Sequence, residues 1–112
     1  MPIFDRGDVV KVPFPYTDKP TRQRRPALVV SSADFNESTG LLWVLMITSA
    51  ENRGWPGDVR VANLGRAGLP VESVIRTAKI ATIDARDAEI LGKLSAKNWS
   101  DVLSQVRARI DE

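Results

Sequence analysis

The chain has 112 residues, of which 43% are hydrophobic and 27% charged, a composition that predicts one globular domain spanning residues 1–112. The net charge is only +2, and the sequence contains no cysteine and no histidine. These absences exclude disulfide bonds, thiolate and histidine metal sites, a Ser-His-Asp triad and a two-histidine acid–base mechanism. Any acid–base chemistry must come from Asp, Glu, Lys, Arg, Tyr or a hydroxyl group.

The first two-thirds of the chain are predicted to consist of strands separated by turns. Runs rich in β-branched and other apolar residues cover residues 7–14, 26–31, 41–48, 59–61 and 73–83. The run 41–48 is expected to be a central strand with apolar residues on both faces, and its Trp43 is expected in the core or at a subunit interface. The run 73–83 is long and is expected to be broken or bent near Ala78. One helical turn is expected around residues 33–35.

The last third of the chain changes to helical periodicity. Asp84 is expected to cap a short helix that runs to Leu91 and is closed by Gly92. Ser95 is expected to cap a final helix, whose apolar residues form one stripe that packs on the sheet. The stripe consists of Trp99, Val102, Leu103, Val106 and Ile110. Short strands followed by a helix predict a mostly β, α+β fold built on a small, strongly bent sheet or barrel.

One loop concentrates positive charge in a chain whose total charge is close to zero. Four cations and no acid lie between residues 19 and 25, at Lys19, Arg22, Arg24 and Arg25. Such a patch attracts phosphate groups. No run approaches the ~18 apolar residues of a membrane span, and the N-terminus lacks the apolar segment of a signal peptide. A soluble, cytoplasmic protein without a membrane partner is therefore expected.

Six short motifs, the fifth of them in two segments, follow one another along nearly the whole chain. They are Gly-Asp-Val-Val at 7–10, Phe-Pro-Tyr-Thr-Asp at 14–18, Arg-Arg-Pro-Ala-Leu-Val-Val-Ser at 24–31, Ile-Thr-Ser at 47–49, the late-strand segments Gly-Leu-Pro-Val-Glu-Ser-Val-Ile at 68–75 and Lys-Ile-Ala-Thr-Ile-Asp at 79–84, and Ile-Leu-Gly-Lys-Leu-Ser at 90–95. In this order and spacing the motifs resemble the MazF/PemK toxin family of type II toxin–antitoxin systems. The motif at 14–18 looks more like the PemK-like branch than the best-known MazF branch.

The resemblance carries expectations that composition and periodicity do not. It implies a small SH3-like β-barrel of the CcdB/PemK-like type with a C-terminal α-helix. It also implies a homodimer with ribonuclease activity, and inhibition by a small antitoxin protein encoded beside it.

Two residues match the family's catalytic positions. Arg25 matches an arginine that directly precedes proline, and the rigid Pro26 fixes the angle at which this side chain leaves the fold. Its guanidinium can bind a scissile phosphate and stabilise charge on the phosphate oxygens. Thr48 matches a strand-end threonine whose hydroxyl can hold the phosphate in line for reaction. Without the resemblance, Arg25 is interpreted as a solvated surface charge and Thr48 as a residue that ends a strand.

Three strand residues are candidates for substrate binding. Arg76 matches an arginine that plasmid-borne PemK relatives use in catalysis, but Ala78 stands where those relatives carry an aspartate. Lys79 stands where relatives often have a glutamine in the substrate groove. Ser49 is the neighbour of Thr48 and can substitute for its hydroxyl. The simple alternative for Arg76 and Lys79 is a solvent-facing strand position.

The loops supply the remaining candidates for substrate binding. Asp18 is the nearest carboxylate before Arg25, because the loop lacks the glutamate of the better-known MazF branch. Tyr16 and Trp55 are aromatic residues that either stack on an unpaired base or pack against the barrel. Arg24 is expected to add attraction to phosphate.

These residues suit cleavage of single-stranded RNA without a metal or cofactor. The 2′-hydroxyl of the RNA attacks the adjacent phosphorus, which gives a 2′,3′-cyclic phosphate and a 5′-hydroxyl. Because the nucleophile belongs to the RNA, the protein only positions groups, stabilises charge and transfers protons.

Two other functions remain open. One is a toxin like CcdB, which resembles this family in fold but acts by binding a protein target such as gyrase. The other is an inactive relative that binds RNA without cutting it.

Overall fold

The protein is described here by a computed structural model that covers residues 3–13, 24–52 and 54–111. Its strands are β1 (Asp8–Pro13), β2 (Arg24–Val29), β3 (Leu41–Ser49), β4 (Val59–Arg60), β5 (Ser73–Asp84) and β6 (Glu89–Lys93), and its helices are α1 (Ala33–Thr39), α2 (Leu64–Ala67) and α3 (Ala96–Ile110). The strands form one curled antiparallel sheet in the order β4-β5-β3-β2-β1-β6. The predicted mostly β fold with a bent sheet and a C-terminal helix is confirmed.

Each face of the sheet carries a cluster of buried apolar side chains, because apolar residues occur at alternating positions along the strands and point to both faces. One cluster lies on the face of Val10, Val12 and Val44, together with Phe4 and Ile83. The other lies on the face of Leu28, Leu45 and Ile75 and is covered by α3 through Trp99, Val102 and Val106. The central strand β3 contributes to both clusters, which confirms that it is apolar on both faces.

Helix α3 begins where the sequence indicated. The Ser95 hydroxyl accepts a hydrogen bond from the amide of Asn98 at 3.2 Å, which caps the first turn. The predicted apolar stripe is confirmed for Trp99, Val102 and Val106, which belong to the cluster that α3 covers, whereas Leu103 is half-buried outside it and Ile110 is 80% exposed. Trp43 is also not a core residue: it is 45% exposed and contacts Phe35 of α1 with ring centroids 4.7 Å apart. Its predicted place at a subunit interface stays a prediction.

The predicted helix from Asp84 to Leu91 is wrong. Only a single 3₁₀ turn, Ala85–Asp87, follows β5, and Asp84 makes no side-chain capping bond. The chain then extends as β6 and pairs with β1, with Asp8 opposite Lys93 and Val10 opposite Ile90. The unpaired edge of β1 offers hydrogen-bond partners that outweigh the local helical pattern.

The predicted bend of the long strand near Ala78 is confirmed by the register of β5. Arg76 lies opposite Met46 of β3, but the next paired residue, Ile80, lies opposite Leu45. Residues 77–79 therefore form a bulge that bends the strand. The part of β5 before the bulge pairs with β4, and this end of the sheet carries the candidate site.

Candidate functional site

The two predicted catalytic residues lie on the same face of the sheet. Ala27 pairs with Met46 across β2 and β3, and continuing this register by two residues places Arg25 opposite Thr48. Both side chains then share the face of Ala27, because strand side chains alternate with a period of two. Residues opposite each other on neighbouring strands have Cβ atoms about 5 Å apart, close enough for two side chains to contact one phosphate.

Arg25 has an unusual environment for an arginine near a strand end. It lies opposite the fully buried Val12 and is itself partly buried. Its Nε is buried, and within the described residues no atom accepts a hydrogen bond from it. A buried donor without a partner costs about 1–3 kcal/mol and is rare in folded proteins. Such a donor is suited to an acceptor that arrives with a ligand.

Thr48 is held with its hydroxyl oriented by a neighbour. Its side chain is buried, and Oγ1 accepts a hydrogen bond from Nδ2 of Asn52 at 2.6 Å. Because the bond from Asn52 uses an oxygen lone pair, the hydroxyl proton can be donated to another acceptor. Thr48 can therefore donate to a phosphate oxygen while Asn52 keeps it in place.

Arg76 is engaged in an ion pair that the sequence did not indicate. Its Nε and Nη2 donate to Oδ1 and Oδ2 of Asp58 at 3.3 and 3.1 Å, and the two side chains are only 7% and 11% exposed. The register of β4 and β5, continued by one residue, places Asp58 opposite Arg76. The carboxylate that Ala78 lacks is thus supplied to Arg76 by a residue eighteen positions earlier.

The loop before β4 places Trp55 against these charges. The Arg76 guanidinium carbon lies 4.5 Å from the centroid of the Trp55 ring, and Lys79 Nζ lies 5.0 Å from it. The Trp55 amide donates to Oδ2 of Asp58 at 3.0 Å. These contacts bring three of the predicted substrate-binding residues, Trp55, Arg76 and Lys79, into one cluster with Asp58 at its base, and Trp55 is 39% exposed.

This loop is also fixed by its backbone. Thr77, in the bulge of β5, donates from Oγ1 to the carbonyl of Gly57 at 2.8 Å. Arg109, near the end of α3, donates from Nη2 to the carbonyl of Pro56 at 3.0 Å. The loop conformation therefore depends on both β5 and the last turn of α3.

Ser49 lies on the opposite face from Thr48, as its place in β3 requires. Its hydroxyl accepts a hydrogen bond from the amide of Glu51 at 3.3 Å. It lines an open depression of about 380 Å³ together with Glu51, Arg60 and Glu72. Arg60 and Glu72 form an exposed ion pair at 3.3 Å, a type of pair that contributes at most about 1 kcal/mol.

Arg24 points away from Arg25. It lies opposite Pro13, and its Nη2 donates to the carbonyls of Lys11 and Asp87 at 3.1 and 2.6 Å. These bonds tie β2 to β1 and to the 3₁₀ turn. Arg24 thus has a structural explanation of its own, and its role in substrate binding stays a prediction.

The other predicted loop residues lie outside the described residues. Tyr16 and Asp18 belong to residues 14–23, which the structure does not describe. Among the residues that it does describe, no three acidic, histidine or cysteine side chains lie together as a metal site. Within that same part of the chain, no helix is long and apolar enough to cross a membrane.

Comparisons with known structures agree with this architecture. The chain is 28% identical to MazF from Deinococcus radiodurans, with a TM-score of 0.80 over 100% of both chains. It is 29% identical to a chain of the MazE–MazF complex from the same organism, with a TM-score of 0.77 over 99% of this chain and 98% of that one. An endoribonuclease in complex with its cognate antitoxin from a mycobacterial species shares the fold at 17% identity, with a TM-score of 0.75 over 98% and 95% of the two chains.

A search among curated protein sequences gave no significant match. The family resemblance seen in the sequence is nevertheless confirmed by a family model described as the PemK-like, MazF-like toxin of type II toxin–antitoxin systems, which matches residues 5–110. Since this match spans nearly all of the 112 residues and the fold agrees, the chain belongs to the PemK-like, MazF-like toxin family of type II toxin–antitoxin systems.

Proposed function

We propose that this protein is a toxin endoribonuclease that cuts single-stranded RNA. The observation that carries the proposal is the buried Arg25 Nε, which has no acceptor among the described residues. Continuing the β2–β3 register beyond the Ala27–Met46 pair puts this residue opposite Thr48 on one sheet face. Membership of a toxin family and the likeness to MazF at 28% identity support it. The mycobacterial structure that shares the fold is named an endoribonuclease.

The proposed reaction is a transesterification within the RNA. The 2′-oxygen attacks the adjacent phosphorus, the bond from phosphorus to the 5′-oxygen breaks, and the proton of the 2′-hydroxyl passes to a base while the leaving oxygen gains one. The products are a 2′,3′-cyclic phosphate and a 5′-hydroxyl. Since the nucleophile belongs to the substrate, the reaction needs neither a histidine nor a metal-bound water, and the sequence has no histidine.

Arg25 and Thr48 have separate roles in this reaction. The guanidinium donates hydrogen bonds to phosphate oxygens as negative charge develops on them, a contribution worth about 10²–10³ in rate for one such donor. The Thr48 hydroxyl, held by Asn52 at 2.6 Å, donates to the same phosphate and fixes its orientation. Both side chains act on one group because they share a face of the sheet.

The partners are proposed on the same basis. The similarity to a chain of a MazE–MazF complex supports inhibition by a small cognate antitoxin, and a homodimer in the cytoplasm is proposed from the family. Light scattering of the purified protein is expected to give twice the chain mass of 12.4 kDa. A mass equal to one chain at micromolar concentration would contradict the proposed dimer.

The activity is tested with purified protein, a long RNA and DNA of the same sequence, all in the presence of EDTA. We expect the RNA to be cut and the DNA to stay intact, because DNA lacks the 2′-hydroxyl. Loss of cleavage on chelation would contradict the metal-free mechanism. Binding of RNA without fragments would favour an inactive RNA-binding relative, and neither binding nor cleavage would favour a toxin that acts on a protein target.

A further inference from the structure

Asp58 lies at the centre of the cluster formed by Trp55, Arg76 and Lys79, and no motif in the sequence assigns it a role. Both of its carboxylate oxygens accept hydrogen bonds from Arg76, at 3.3 and 3.1 Å. Oδ2 also accepts the amide of Trp55 at 3.0 Å. A carboxylate occupied in this way is suited to holding other groups in place rather than to accepting a proton from the substrate.

The same residue fixes the ring and the cation beneath it. The Trp55 amide donates to the Asp58 carboxylate, and the Asp58 amide donates to the Trp55 carbonyl at 3.1 Å. The backbone of Trp55 is therefore held at two points. The Arg76 guanidinium, held by the carboxylate, lies 4.5 Å from the ring centroid. A cation over an indole face at this distance is attractive and resists reorientation of the ring.

The cluster lies beside the proposed catalytic residues. Arg76 is opposite Met46, which precedes Thr48 by two positions on the same face of β3. Two residues along a strand span about 7 Å, so Met46, which Arg76 faces, lies about that far from Thr48 on the same side of the sheet. Trp55 is 39% exposed although Arg76, one of the two cations over its ring, is buried, so part of the residue remains open to a ligand.

We propose that Asp58 is a positioning residue for the substrate: it holds Arg76 against Trp55 so that the exposed part of the indole stacks on an unpaired nucleobase next to the scissile phosphate. This inference rests on the proposed function and adds to it a subsite for one base. Stacking tolerates any base because every base has a π-face, so the subsite contributes affinity rather than choice of sequence.

The test is a double-mutant cycle between Asp58→Asn and Trp55→Leu. For each variant we measure kcat and KM on an RNA transcript, the Kd for a short single-stranded DNA that is bound but not cut, and the melting temperature. Each single variant is expected to raise KM and Kd about tenfold, because the affinity contributed by one stacked base is lost. The value of kcat is expected to change less than about twofold. The double variant is expected to bind no more weakly than either single variant, because both remove the same platform.

Two comparisons keep the result specific to the cluster. Asp101→Asn removes a carboxylate that pairs with Lys97 on the exposed side of α3, and it is expected to leave kcat, KM and Kd unchanged. Asp58→Glu keeps the carboxylate and is expected to recover part of the affinity.

If Asp58→Asn does not fold because it leaves Arg76 buried and unpaired, the paired replacement Asp58→Leu with Arg76→Met takes its place in the cycle.

Several outcomes would overturn the inference. A fall in kcat with unchanged KM would place Asp58 in the chemical step instead. Losses in affinity that multiply in the double variant would show that Asp58 and Trp55 act independently. If the wild-type protein cuts no RNA, the proposed function fails, and the same cycle measured as Kd for the DNA still decides whether Asp58 positions Trp55.

Discussion

At the scale of single residues, two arginines share one sheet face in different states. Arg76 is held by Asp58, whereas Arg25 has a buried Nε without an acceptor among the described residues. A guanidinium already held by a carboxylate has little to gain from a phosphate, whereas a buried unpartnered donor gains a full hydrogen bond. On this basis we propose that Arg25 binds the phosphate and that Arg76 has a supporting role.

Replacing Arg25 tests that assignment, with Arg24 as a neighbouring comparison. Arg25→Ala is expected to lower the rate of RNA cleavage about 10²–10³-fold, because a donor to the developing charge is lost. Arg24→Ala removes bonds to the Lys11 and Asp87 carbonyls. It is therefore expected to cost about 1 kcal/mol of stability and only severalfold in rate. Initial cleavage rates and urea unfolding measure both effects, and equal rate losses would refute the distinction between the two side chains.

Thr48 permits a change of one functional group. Thr48→Val keeps the shape but loses the hydroxyl, and we expect kcat to fall about 10–100-fold, since one hydrogen bond that orients the phosphate disappears. Thr48→Ser keeps the hydroxyl and is expected to stay within about tenfold of the wild type. Steady-state kinetics on one RNA substrate compare the two variants. Full activity of Thr48→Val would remove Thr48 from the mechanism.

The sequence identified some of these residues and could not have identified others. Arg25 and Thr48 are recognisable because each stands in a motif at the border of a strand. Asp58 is not recognisable in this way, because its partner Arg76 lies eighteen positions later in the chain. The two residues meet only through the pairing of β4 with β5. Long-range register of this kind has no local signal in the chain.

At the scale of elements, the strands and α3 were predictable because their apolar periodicity is long, whereas β6 was not. Residues 89–93 form a strand only because β1 offers an unpaired edge. Gly92 belongs to this strand, and its role is close approach rather than helix termination: a Cβ there would collide with the carbonyl of Arg66 and the backbone of Ala67. Thus α2 packs directly on the backbone of β6.

This contact predicts a large effect of a small substitution. Gly92→Ala is expected to destabilise the protein by about 1–3 kcal/mol, because the backbone of α2 must shift to admit the methyl group. Gly54→Ala is the matched control, since a Cβ at Gly54 meets nothing within 4 Å, and its effect is expected to stay within about 1 kcal/mol. Urea denaturation measures both, and equal stabilities would contradict the packing of α2 on β6.

At the scale of the whole molecule, the net charge of +2 is too small for overall attraction to account for the proposed RNA binding. Binding must depend on a few placed cations, which predicts a modest salt dependence. The test plots the logarithm of the binding constant for a short single-stranded DNA against the logarithm of the salt concentration. About three phosphate contacts give this plot a slope near −2. Arg25→Ala is expected to reduce the slope by about 0.7. A slope near zero, or one unchanged in Arg25→Ala, would show that Arg25 contacts no phosphate.

The central claim is that Arg25 and Thr48 on one sheet face make this toxin-family member an RNA-cutting enzyme. It is tested most directly by sequencing the 5′ ends of cellular RNA after brief induction, with Arg25→Ala expressed to the same level as the control. We predict new RNA ends that carry a 5′-hydroxyl at recurring short sequences in the wild type and their absence in Arg25→Ala. Intact RNA in wild-type cells, or the same new ends in both, would contradict the account.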